Sequence, residues 1–166
     1  MRARFFFSTA LSITLAGCMS TTEITTEPVD VKMTGAKGVQ VQRTEIVPAR
    51  TVLYDSAGKR KEVTGVPCTA KNERFTASYS TPANVRIPVF GAKSLDLSVM
   101  CTYQGQRVAT VIGVRNLTHE SMINAGAAGG GLLGMAIASG MAKNRGNRAE
   151  DQYGYHPLTV ALNKKQ

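Results

Sequence analysis

The sequence predicts a mainly β protein: a small β-sandwich with one inter-strand disulfide, then a Gly-rich helical segment and a C-terminal strand. Three observations carry that expectation. Between Val66 and Tyr103, short alternations of apolar and polar residues are bracketed by Cys68 and Cys101. Roughly seven candidate strands follow one another at about ten-residue spacing, the rhythm of a sandwich. Residues 121–142 then run for 22 positions without a charge and contain six glycines, a composition foreign to a strand.

Residues 1–17 stand outside the fold. Arg2 and Arg4 form a basic start, Phe5 to Leu15 an apolar run, and Leu15-Ala16-Gly17 a small-residue cleavage site. Cys18 comes next. Small residues ending in Cys after a short apolar run resemble the bacterial lipobox, and the resemblance implies cleavage before Cys18, with acyl chains on its sulfur and on the new amine. More than one chain makes a stable membrane anchor. Met19 follows Cys18 where an inner-membrane lipoprotein often has Asp, so the expected location is the outer membrane, on its periplasmic face. Residues 18–37 are rich in Thr, Glu, Val and Lys with almost no large apolar side chain; they bury too little to offset their ordering entropy and read as a tether.

The sandwich is expected over 38–118. Val39 and Val41 alternate with Gln40 and Gln42. Arg50 to Tyr54 is β-branched and aromatic before the turn Asp55-Ser56-Ala57-Gly58. A strand from Lys61 leads towards Cys68. Phe75, Ala77 and Tyr79 share a phase on the next, and Pro88 marks the one after as an edge strand. Leu95, Leu97, Val99, Cys101 and Tyr103 fall on one face of the best-patterned strand, and Gln104-Gly105 turns it back into a hairpin partner. Cys68 is in phase with Val66. Two inward thiols are thus expected to bond across the two packed layers, closing a loop worth roughly 3–4 kcal/mol. With Cys18 acylated, the remaining pair of thiols suits an oxidising compartment.

The 119–143 segment is expected to be helical. As one straight helix, 121–142 would measure roughly 33 Å, about a bilayer core. Gly126, Gly130, Gly134, Ala138 and Ala142 line one face at four-residue spacing, a surface for close backbone packing or oligomerisation. The partner of that face is left open among the sandwich, a second copy and lipid. Residues 144–154 read as a polar loop, and 155–166 as a terminal strand, with Leu158, Val160 and Leu162 in phase, and a tail.

Gly65-Val66-Pro67-Cys68, Asn72, Thr81-Pro82-Ala83-Asn84-Val85, and Leu95, Leu97, Val99 and Cys101 followed by Gly105 resemble a family of bacterial lipoproteins with a PEGA-like, Ig-like β-sandwich and a C-terminal Gly-rich segment. The Gly-rich run and Tyr155-His156-Pro157 extend the resemblance over most of the mature chain. Two departures stand out: the aromatic usual after the first Cys and Asn falls at Phe75, and 144–152 looks like a polar insertion. The resemblance implies a fold and a compartment and brings no catalytic residues.

Catalytic chemistry has little to rest on. Gly129, Gly131 and Gly134 match the dinucleotide fingerprint as a string, but no strand precedes them. His119 and His156 are the only histidines, and neither has zinc-ligand neighbours apart from the adjacent Glu120. No cofactor, metal or catalytic residue is expected. The chain carries a formal charge of +9, or +7 once Arg2 and Arg4 leave with the signal segment. Its cations are scattered, concentrated only at Lys59-Arg60-Lys61 and over 143–148, without the interleaved aromatics of nucleic-acid binders. The expected partners are the membrane through the N-terminal lipid, and an envelope protein, peptidoglycan or anionic lipid headgroups; a homo-oligomer is the further expectation. The function read from this is that of a non-enzymatic structural or interaction module of the cell envelope, with an oligomerising or membrane-inserting component as the second reading.

Overall fold

The computed structural model describes residues 21–35 and 38–163. The lipidation expected at Cys18 lies outside the described residues. Two five-stranded sheets pack face to face. In the first, β1 (Val29–Asp30), β7 (Ala83–Val89), β3 (Arg43–Tyr54) and β12 (Leu158–Ala161) lie in that order, with β4 (Arg60–Val63) also paired to β3. In the second, the order is β2 (Lys32–Met33), β6 (Phe75–Thr81), β5 (Val66–Lys71), β8 (Leu97–Tyr103) and β9 (Gln106–Ile112). A small ribbon of β10 (Val114–Asn116) and β11 (Tyr153–Tyr155) flanks the helical segment α1 (Leu117–Arg145).

Alternation decides the core. Val66, Cys68 and Ala70 of β5, Phe75, Ala77 and Tyr79 of β6, and Leu97, Val99 and Cys101 of β8 point inward, where they meet Val85, Ile87 and Val89 of β7 and Leu158 and Val160 of β12 in one cluster. Burying side chains of this size removes enough apolar surface to dominate stability. The expected β8–β9 hairpin is present: Gln104 and Gly105 both adopt positive φ, 50° and 75°, as the tight turn matched to strand twist requires. Pro88 lies in β7 beyond the reach of β1, which pairs only with Val85 and Arg86, so the missing N–H does not interrupt a ladder on that side.

Outside the helical segment the structure departs from the sequence-based expectations in four places. Cys68 and Cys101 are bonded, but as directly opposed residues on the neighbouring strands β5 and β8. The bridge therefore pins register within one sheet instead of linking the layers, because the two inward faces that phase assigned belong to the same sheet. Within the expected tether, β1 pairs in parallel with β7 and β2 antiparallel with β6. The Thr22 amide donates to Glu62 (2.6 Å) while Arg50 donates to the Thr22 carbonyl (2.8 Å). Residues 39–42 are not a strand; β3 starts at Arg43 and runs for 12 residues. Residues 153–155, which straddle the expected boundary between the polar loop and the terminal strand, are a separate buried strand whose Tyr153 and Tyr155 join the core.

Candidate functional site

The helical segment is a hairpin. Gly131 has φ 58° and ψ −143°, outside helical geometry and in territory that side-chain-bearing residues avoid. Residues 117–130 and 132–145 form two arms that fold back on each other there. A straight helix would hold Gly126 and Gly134 roughly 12 Å apart. Instead they touch: a Cβ on Gly134 would run into the Gly126 carbonyl oxygen, and a Cβ on Gly126 would sit 2.5 Å from that of Ala138. By length and composition the segment could cross a membrane, but the bend leaves each arm roughly 21 Å long.

This corrects the expectation of one continuous helix and answers the open question of its partner. The small-residue face of one arm is covered by that of the other. Gly126, Gly134 and Ala138 are brought together. Gly130 is not; its Cβ position is open, so it belongs to the turn region and not to the contact. Gly129, Gly131 and Gly134 lie in a helical hairpin bent at Gly131 and do not follow a strand of a βαβ unit.

With the small residues turned inward, the large ones face out. Leu132 and Leu133 at the tip are 82% and 73% exposed, and Ile137 and Met141 along the second arm 57% and 59%. The first arm presents Ala125, Ala128 and Gly129 outward. No charge interrupts 121–142.

The hairpin is closed at its base by polar groups. Asn116 caps the first arm by accepting from the His119 amide (3.0 Å), and its Nδ2 donates to Asp151 (2.9 Å) and Asn147 (3.1 Å). Asp151 is 2% exposed. Its carboxylate also accepts from the Arg148 amide (2.9 Å) and pairs with Arg145 at 2.5 Å. Burial alone would raise its pKa, but these donors outweigh it and hold the group at about 2. His119 Nε2 lies 2.9 Å from the Gly146 carbonyl, joining the foot of one arm to the end of the other. Glu120 is paired bidentately with Arg115 and not with its neighbour His119; the guanidinium lowers its pKa.

The base is attached in turn to the sandwich. Arg43 of β3 donates to the Tyr153 carbonyl (2.5 Å), the Tyr155 amide donates to Glu45 (3.3 Å), and the Tyr155 hydroxyl donates to the Leu95 carbonyl (2.9 Å). Beyond this collar the arms project free of the two sheets; among the described elements α1 packs appreciably only on β11.

No family model, curated protein or solved structure matches this chain. Among the described residues no three His, Cys, Asp or Glu side chains converge as metal ligands. A concavity of about 630 Å³ opens on the second sheet, edged by Lys71, Arg107, Thr69, Ser78 and Thr102.

Two features escaped sequence reasoning. The bend at Gly131 had a visible signal: three consecutive glycines at the centre of an apolar run are a break, which the regular spacing of Gly126, Gly130 and Gly134 concealed. The Asp151 lock had none, because its partner Asn116 is 35 residues away.

Proposed function

We propose that this chain is a lipid-anchored, non-enzymatic lipoprotein of the cell envelope, on the periplasmic face of the outer membrane, in which the PEGA-like sandwich is the body and the helical hairpin makes the contact. The observation that carries the reading is the hairpin itself: an uncharged pair of arms that buries its glycines and leaves Leu132, Leu133, Ile137 and Met141 in the open. A contiguous exposed apolar surface on an otherwise well-packed domain marks an interaction site. The basic, apolar N-terminus ending at Cys18 and a disulfide of the kind that persists in oxidising compartments support the compartment.

Metabolic labelling of the full-length chain with an alkyne fatty acid in a Gram-negative host tests the anchor: label is expected in the parent and lost in Cys18→Ala. Undiminished label in that variant overturns it. The contact role is tested by replacing 121–142 with a short Gly/Ser linker, which should keep label and sandwich melting but lose crosslinks to envelope components, lipid or protein. Adducts that persist without the hairpin would move the contact to the sandwich.

A further inference from the structure

We propose that the hairpin enters a single leaflet of a lipid bilayer, tip first, and stops at its charged base without crossing. The inference rests on the reading of the hairpin as the contact element and names what it contacts.

Three observations point to lipid instead of to a second copy. The first is length. From Ser121 to the bend at Gly131 the first arm is uncharged for roughly 16 Å, and the returning arm matches it to Ala142. A bilayer hydrocarbon core is about 30 Å thick, so the uncharged depth equals one leaflet and the bend makes a full crossing unattainable.

The second is distribution. On the second arm, Leu132, Leu133, Ile137 and Met141 are exposed, and Met135 faces out on another side. Successive positions turn by about 100°, so Leu133, Ile137 and Met141 share one stripe, while Leu132 and Met135 lie well to one side of it, and the set spans every direction except the small-residue face. Another hairpin would cover one side and leave the rest wet. A leaflet covers every side, and an uncharged segment whose large apolar side chains spread over more than one face suits such surroundings. The most exposed pair, Leu132 and Leu133, is at the tip, where immersion is deepest.

The third is the collar. Charges resume together on both arms: Arg115 and Glu120 below the first, Lys143, Arg145, Arg148, Glu150 and Asp151 below the second. Most are already ion-paired. Lys143 is exposed and, among the described residues, has no acidic partner, which leaves it free for a headgroup phosphate. Such a ring is too costly to bury in hydrocarbon and fixes the depth.

The chain contains no tryptophan, so a single introduced one reports its own depth. Leu133→Trp, Ile137→Trp and Met141→Trp place it at tip, middle and base on exposed sites. Each full-length variant, purified in detergent with its sandwich melting checked against the parent, is reconstituted into phosphatidylethanolamine/phosphatidylglycerol vesicles carrying lipids brominated at different acyl depths. Blue-shifted emission is expected at all three sites. The best quencher should be the deepest bromine for Leu133→Trp and progressively shallower ones for Ile137→Trp and Met141→Trp. Adding Leu133→Asp to Ile137→Trp should return the emission towards its value in water, a charge at that depth weakening insertion roughly a hundredfold.

Unquenched emission at all three sites overturns the proposal. Equal, shallow quenching overturns it in favour of a hairpin lying flat, and a blue shift without lipid quenching in favour of a second copy. Deepest quenching at Ile137→Trp, with Leu133→Trp reached by a quencher trapped inside the vesicle, overturns it in favour of a span. The mass of the N-terminal peptide in the same preparation separates the two readings. An acylated protein with unquenched tryptophan ends leaflet insertion alone, whereas an unacylated protein with graded quenching ends the anchor and keeps the insertion.

Discussion

The sandwich and the hairpin bring backbones together by opposite means. In the sandwich, large side chains such as Phe75, Ile87 and Leu97 fill the space between sheets roughly 10 Å apart. In the hairpin, the space is abolished: Gly126 and Gly134 meet with no side chain between them. The first arrangement removes much apolar surface from water and is fastened by a disulfide. The second buries little, and its large side chains point away from its own contact. The body therefore stabilises itself, while the hairpin keeps its large apolar side chains exposed.

The sharpest break in that comparison comes from the core. Phe75→Ala, at a fully buried position, should lose roughly 3–5 kcal/mol and lower the denaturant midpoint of the whole domain. Replacing Cys68 and Cys101 together by Ala opens a loop whose ends are 33 residues apart and should lose roughly 3–4 kcal/mol. Equilibrium unfolding with and without reductant measures this; reductant should shift the parent and leave the double variant unmoved.

An intermediate effect is expected in the hairpin. Gly134→Leu drives a side chain into the Gly126 backbone and should loosen the arms by roughly 1–3 kcal/mol. Hydrogen exchange should speed up across 121–142 while the sandwich melting temperature holds. A domain-wide loss of stability would erase the distinction between the two regions.

The acid response sharpens the comparison at the base. Asp151 is held at about 2 against an ordinary 3.8. A carboxyl with a depressed pKa in the folded state contributes stability above its ordinary value, and that contribution is lost as pH falls. Exchange at the feet of the arms should therefore rise between about pH 4 and pH 2. Asp151→Asn should flatten that dependence. The smallest effect is the most selective: at Gly130 a Cβ meets nothing, so Gly130→Ala should be tolerated or gain up to about 1 kcal/mol of helix propensity. If Gly130→Ala instead loosens the arms as Gly134→Leu does, the four-residue spacing is the contact after all.

The body of the fold was largely legible in the sequence because strand alternation is local. Leu97, Val99 and Cys101 announce their face within five residues, and Gln104-Gly105 announces its turn within two. The sites of the hairpin were legible only in part. Gly126, Gly134 and Ala138 were recognisable as a packing surface, but Gly130 was included by the same periodicity. The spacing that groups small residues on a straight helix is blind to a bend that pairs them across two arms.

By itself the sequence determined what each segment could bury: alternating apolar faces that demand a second sheet, two inward thiols, and an uncharged run of glycines that cannot stand alone in water. Tertiary structure decided what covered what. It put Cys68 opposite Cys101 in one sheet, drew Val29–Asp30 and Lys32–Met33 into the sheet edges, turned the helix at Gly131, and closed its base on Asp151. All but the turn at Gly131 depend on contacts between residues far apart in the chain. Their energies arise from register, reach and desolvation at a place that exists only once the rest has folded.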